Sequence, residues 1–139
     1  MQKFKIGFIC VHNSCRSQMA EALSKLFAED IFESYSAGTE LVPHINKQAV
    51  RIIKEKYNYD MSNQYSKLIK DLPELDIVIT MGCNVECPYV KCKYRADWGL
   101  EDPTGKSDDE FIKVAKIIEQ NILDLSNKIN SKEIFFEEE

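Results

Sequence analysis

The stretch that decides the fold reads Phe4-Lys5-Ile6-Gly7-Phe8-Ile9, then Cys10-Val11-His12-Asn13-Ser14-Cys15-Arg16, then Ser17-Gln18-Met19-Ala20-Glu21-Ala22-Leu23. The first part is an apolar run of strand length, and the last is a run of helix formers. Between them lies a short loop that begins on a cysteine and ends on an arginine. A strand, a tight loop and a helix N-terminus in this order let the loop amides curl inward beside the unpaired N–H groups and positive end of the helix. Such a ring holds a tetrahedral anion. Arg16 supplies a planar fork for two of the anion's oxygens. The amides of Val11, His12, Asn13, Ser14, Cys15 and Arg16 form the expected cradle, and Asn13 holds its shape. The same field favours the thiolate of Cys10, the form of cysteine that attacks. Ser17 is expected to hydrogen-bond the Cys10 sulfur. Whether the side chains of His12 and Cys15 face the anion stays open at this point.

The rest of the chain repeats the alternation. Phe32 to Ala37 reads as a second strand stopped by Gly38-Thr39, and Asn46 caps a helix running to Tyr57. Ser66 to Leu72 is a short helix ended by Pro73, and Asp76 to Thr80 is a β-branched run of the kind buried on both faces of a sheet. Met81 to Lys93 reads as a loop, Ala96 to Leu100 as a short strand or turn, and Glu101-Asp102-Pro103 as a turn. A last helix spans Asp109 to Ile129, capped by Ser107 or Asp108, with an apolar stripe of Phe111, Val114, Ala115, Ile118, Ile122 and Leu125. Strands alternating with helices imply a parallel sheet with right-handed crossovers and a ligand site beyond the strands' carboxyl ends. There the Cys10 loop, the Cys83 loop and the Asp102 turn converge.

The chain of 139 residues is the size of one domain, expected to span 1–139. A net charge of −5 without a basic stripe disfavours nucleic acid. With no apolar run near the length of a bilayer span and no signal peptide, no membrane partner and a cytoplasmic location are expected. In that compartment the five cysteines point to catalytic, redox or metal-binding use rather than a disulfide framework. Cys83, Cys87 and Cys92, with His12 or Cys15, are the residues a zinc site would use. Their spacing matches no strong zinc pattern, and neither a metal nor another cofactor is expected.

Taken together, Cys10 to Arg16 with Ser17-Gln18-Met19-Ala20-Glu21, Ser36-Ala37-Gly38-Thr39, the Cys83 and Cys87-Pro88 loop, and Asp97-Trp98-Gly99-Leu100-Glu101-Asp102-Pro103 resemble the thioredoxin-coupled arsenate reductases. These share the fold of low-molecular-weight protein tyrosine phosphatases. The resemblance covers nearly the whole chain. It implies an α/β three-layer sandwich with a central parallel sheet of about four strands and helices on both faces. It also implies a reaction: Cys10 attacks arsenate, Asp102 acts as general acid, and Cys83 attacks Cys10 to expel arsenite. Cys87 then attacks Cys83, leaving a Cys83–Cys87 disulfide for an external reductant. The expected partners are therefore arsenate and thioredoxin or another thiol donor, and the expected state is a monomer. The short span between Cys83 and Cys87 is also similar to relatives reduced by small thiols, which leaves the donor open. Some members hold potassium near Asn13, Glu21, Ser36 and an acidic residue after a Ser-Asn-Gln stretch. Here Ser62-Asn63-Gln64 is followed by Tyr65-Ser66-Lys67, so Lys67 is expected to take the ion's place. The alternatives are a tyrosine phosphatase, against which Thr104-Gly105-Lys106 stand where cleft aromatics are usual, and a non-catalytic oxyanion- or zinc-binding module.

Overall fold

The computed structural model describes residues 3–82 and 90–132. Strand β1 spans Phe4–Cys10, helix α1 Arg16–Phe27, β2 Phe32–Gly38, α2 Lys47–Tyr57, β3 Ile77–Thr80, β4 Tyr94–Asp97 and α3 Asp108–Asn130, with a 3-10 turn at Ile69–Asp71. The four strands form one parallel sheet in the order β2-β1-β3-β4. The chain therefore leaves β1 toward one side to make β2 and returns on the other side to make β3. That reversal opens a crevice at the carboxyl end of β1, where Cys10 sits.

The alternation of side chains across the sheet divides the core. Ile6, Phe8, Ile77 and Ile79 face α1, α2 and α3, where Met19, Leu23, Ile52, Ile53, Phe111 and Ile118 are fully or almost fully buried. Ile9, Ala37, Leu75 and Val78 face the other way and are covered by Ile69 of the 3-10 turn and Leu72 just after it, with Val90 and Cys92. Every residue of β3 is buried, as a continuous β-branched run requires. Each large aliphatic side chain so removed from water contributes roughly 1.5–3 kcal/mol. No helix among the described residues is long and apolar enough to cross a membrane.

Local signals explain most boundaries. Asn46 caps α2 as expected, its Oδ1 accepting the Ala49 N–H at 3.0 Å, and its own N–H reaches the Ser14 carbonyl at 2.8 Å. The cap thus ties α2 to the anion loop. Helix α3 differs from expectation at its start. Ser107 precedes it without a side-chain cap bond, and Asp108 lies inside the first turn, where it accepts from Arg51 at 2.6 Å and Gln48 at 2.8 Å. Asp108, Asp109 and Glu110 together complement the positive helix end.

Gly38 shows how closely β2 supports the loop. A Cβ there would lie 2.5 Å from the Val11 carbonyl oxygen, 2.9 Å from that of Cys10 and 3.1 Å from Asn13 Cβ. Backbone cannot yield as a side chain can. Gly38→Ala is expected to cost about 1–3 kcal/mol in thermal denaturation and to lower turnover more than stability, because all three contacts belong to the loop.

Candidate active site

The loop between β1 and α1 winds around the Cys10 sulfur. Asn13 adopts φ 52°, a left-handed conformation that asparagine tolerates better than most residues, and this turns its N–H inward to the Cys10 sulfur at 3.1 Å. Ser17 Oγ lies 2.9 Å from the same sulfur, and Asn13 Nδ2 donates to Ser17 Oγ at 2.9 Å. Cys10, Asn13 and Ser17 are buried. Helix α1 begins without a side-chain cap, and the N–H groups of Ser14, Cys15 and Arg16 meet no acceptor among the described residues. They are the donors the anion cradle needs.

Arg16 is fixed by one edge. Its Nη1 donates to the Met81 carbonyl at 2.6 Å and to the Leu100 carbonyl at 2.7 Å. Among the described residues its Nε and Nη2 meet no acceptor, so the remaining edge is left for an oxyanion. These anchors come from the chain just after β3 and just after β4. One guanidinium therefore joins the Cys10 loop to Met81, at the end of β3, and to Leu100, just before the Asp102 turn. Asp97 reinforces the arrangement by accepting from Gly82 N at 2.8 Å, Thr80 Oγ1 at 3.0 Å and Gly99 N at 3.3 Å. Gly82 has φ 96°, and any Cβ there would crowd Leu100 N and O at 3.2 Å. Trp98 packs on Phe8 with ring centroids 5.7 Å apart.

The remaining loop side chains divide by surroundings. His12 points outward and pairs with Glu40 at 3.3 Å. Val11 contributes its carbonyl, which accepts the N–H groups of Thr39 and Glu40, both at 3.0 Å. The Cys15 thiol is pushed up to about 12, first by burial and then by the Asp102 carboxylate, with Thr104 and Arg16 pulling back only in part. It remains a protonated thiol at neutral pH. Asp102 accepts from Thr104 N at 3.0 Å and Thr104 Oγ1 at 2.7 Å. Burial pushes its carboxyl up, but the Thr104 bonds, with Arg16 and His12, outweigh it and hold it below the usual carboxylate range. In the free protein Asp102 is thus ionised.

Cys83 and Cys87 lie outside the described residues. Cys92 precedes β4, at the amino end of the sheet, in a cavity shared with Lys3, Lys5, Lys91 and Lys93. Cys10, His12 and Cys15 are at the opposite end. Cys92 therefore does not share a metal with them. Among the described residues no three His, Cys, Asp or Glu side chains come together as metal ligands.

The potassium site implied by the resemblance does not fit these residues. Glu21 Oε1 accepts from Ser36 Oγ at 2.6 Å and faces Lys67 Nζ at 3.4 Å, and its Oε2 accepts from Lys25 Nζ at 2.6 Å. Lys67 Nζ also donates to the Tyr65 carbonyl at 2.9 Å and lies 4.6 Å from the Tyr65 ring centroid. An ammonium group occupies the position a cation would need. Turnover and melting temperature are expected to be equal in potassium and sodium chloride at matched ionic strength, and a rise in either in potassium alone would contradict this placement.

A match to the low molecular weight phosphotyrosine protein phosphatase family extends over residues 5–134. The chain belongs to that family. Within it the chain stands with the arsenate reductases. It is 39% identical to Arsenate reductase 1 of Staphylococcus epidermidis over 134 residues, which is 93% of this chain and 100% of the relative. A solved arsenate reductase in the phosphate binding state superposes with a TM-score of 0.81 at 34% identity, covering 92% of this chain and 99% of the other. The Corynebacterium glutamicum thioredoxin-dependent arsenate reductase superposes with a TM-score of 0.75 at 31% identity, covering 94% of this chain and 63% of the other. The family's shared fold agrees with the parallel sheet and three α-helices seen here.

Proposed function

We propose that this protein reduces arsenate to arsenite through the thiols of Cys10, Cys83 and Cys87, in a single domain spanning 1–139, working as a monomer in the cytoplasm. The observation that carries the reading is the Cys10 sulfur, held by the Asn13 N–H and beside Ser17 at the floor of an amide ring flanked by Arg16. Arsenate and phosphate are both tetrahedral oxyanions, and a solved relative holds phosphate.

The electrons decide between a reductase and a phosphatase. The Cys10 thiolate attacks arsenic, an As–O bond breaks and water leaves, giving a Cys10–As(V) adduct. Cys83 as thiolate then attacks the Cys10 sulfur. The S–As bonding pair stays on arsenic, which departs as As(III), and a Cys10–Cys83 disulfide forms. Cys87 attacks Cys83, releases Cys10 as thiolate and closes Cys83–Cys87. Two thiols have supplied two electrons, and an external dithiol restores them. Gly82, held by Asp97 beside Leu100, starts the segment that carries Cys83 from the rim of the site.

Asp102 enters as a carboxylate, so the proton on the leaving water comes with the substrate. It takes a proton from one hydroxyl of the arsenate monoanion and passes it to the leaving one. kcat/KM should then fall as rising pH converts monoanion to dianion. Asp102→Asn, which cannot pass a proton, is expected to lower kcat by roughly 10²–10⁴-fold while arsenate still competes with other oxyanions for the loop.

Arsenate-dependent NADPH oxidation with thioredoxin and its reductase tests the whole reading, run beside glutaredoxin and a small thiol. A reductase oxidises NADPH only when arsenate is present and with at least one of these donors. Release of phosphate from p-nitrophenyl phosphate with no arsenate-dependent oxidation would make the protein a phosphatase instead.

A further inference from the structure

The bonds that hold Cys10 do not stop at Ser17. The Lys67 backbone N–H, whose polarity is beyond doubt, donates to Asn13 Oδ1 at 2.9 Å. That pins the Asn13 amide with its Nδ2 toward Ser17 Oγ. Ser17 Oγ accepts there, so its own proton is directed at the Cys10 sulfur 2.9 Å away. On the far side of Asn13, Gln18 from α1 places Nε2 among three acceptors: Asn13 O at 3.1 Å, Asn13 Oδ1 at 2.9 Å and Tyr65 O at 3.0 Å. Gln18 Oε1 in turn accepts from Gln64 Nε2 at 2.9 Å, and the same Nε2 donates to Gln18 O at 3.0 Å. Gln18 is fully buried and Gln64 is 9% exposed.

We propose that Gln64 and Gln18 are positioning residues that set the direction of a buried hydrogen-bond chain, Gln64 to Gln18 to Asn13 to Ser17, so that its last proton points at the Cys10 thiolate. An amide is reversible in shape but not in chemistry. Turned over, Gln18 would set its oxygen against three carbonyl oxygens, and Asn13 would lose the partner that keeps Nδ2 on Ser17. Gln64 holds that orientation at a cost. Both N–H contacts of Gln64 go to Gln18, and its Oε1 has no hydrogen-bond partner among the described residues, so the orientation is set by the donor side of the group. Aligned amides also polarise one another, so the effect reaches beyond the first neighbour. Neither glutamine touches the anion; each acts through Asn13.

The inference rests on Cys10 being the nucleophile of the proposed reaction, and the test separates the two. Gln64→Met and Gln18→Met keep side-chain length and remove the amide. The ionisable groups around the loop, Arg16, Cys15, His12 and Asp102, are the same in each variant. Iodoacetamide alkylation of Cys10 is followed across pH by peptide mass spectrometry, with Cys92 in the same sample as reference. Cys10 alkylation at pH 6 is expected to slow about two- to fivefold in Gln64→Met and about three- to tenfold in Gln18→Met, the weight of a single hydrogen bond in each case. Both rates should converge on wild type at high pH, where every form is ionised. A merely structural role predicts otherwise. If folded Gln64→Met reacts at the wild-type rate at pH 6, or if the deficit is equal at every pH, the chain does not set the thiolate and the proposal is overturned. If wild-type Cys10 reacts no faster than Cys92 at pH 6, it is the nucleophile assignment that fails.

Discussion

Cys10→Ser is expected to reduce arsenate turnover by at least about 10⁴-fold, to the floor of any assay. The substitution changes one atom in a site otherwise left intact. Serine keeps the size of the side chain and can still accept the Asn13 N–H and meet Ser17, so the loop has no reason to open. What it loses is ionisation, because an alcohol under the same amides and the same guanidinium remains neutral. His12, the residue type that usually activates a serine, faces Glu40 on the outside of the loop. The cradle itself should survive. Phosphate or arsenate protection against thermal unfolding is therefore expected to persist in Cys10→Ser, separating binding from chemistry. Substantial residual turnover would show that another thiol attacks. Cys15, in the same loop, is buried beside Asp102 and held as a thiol.

The depth to which the sequence could be read follows the range of the interactions. The strand, loop and helix around Cys10 are local in sequence, and the expected order of elements and parallel sheet agree with the structure. Asn46 was legible as a cap because its partner Ala49 is three residues on. Strand β4 was less so. It starts at Tyr94, earlier than the expected Ala96, because an edge strand with Arg95 and Asp97 facing water carries no apolar run. Asp108 and Ser107 were indistinguishable as caps since the deciding partners, Gln48 and Arg51, are on α2. In the site, the residue types that do chemistry announced themselves through spacing. The residues that place them did not. The Met81 and Leu100 carbonyls that hold Arg16 have no side-chain signature at all, and the Gln64–Gln18 pair joins segments 46 residues apart. The Asp97 clamp had one local hint, a glycine two residues on, which the structure places at φ 57°. The Lys67 placement was legible only as a charge where a carboxylate was expected, and Glu21 supplies its reason.

Replacing the second thiol tests the electron path rather than the attack. Cys83→Ser is expected to abolish arsenite formation while leaving p-nitrophenyl phosphate hydrolysis within about twofold of wild type, since that reaction asks only for Cys10, the loop amides, Arg16 and Asp102. Without the Cys83 sulfur nothing takes the Cys10–As bond apart reductively, and arsenic leaves as it came, as arsenate. Cys87→Ser should behave differently. Cys83 can still attack, so each molecule should release one arsenite and stop with Cys10 joined to Cys83, giving a stoichiometric burst and no second turnover. The order of the two cysteines is thereby read from stoichiometry alone: none for Cys83→Ser, one per protein for Cys87→Ser. Equal loss of both activities in Cys83→Ser would mean that this segment supports the loop instead of the electrons, and a full set of turnovers in Cys87→Ser would mean that the external donor attacks the Cys10–Cys83 bond directly.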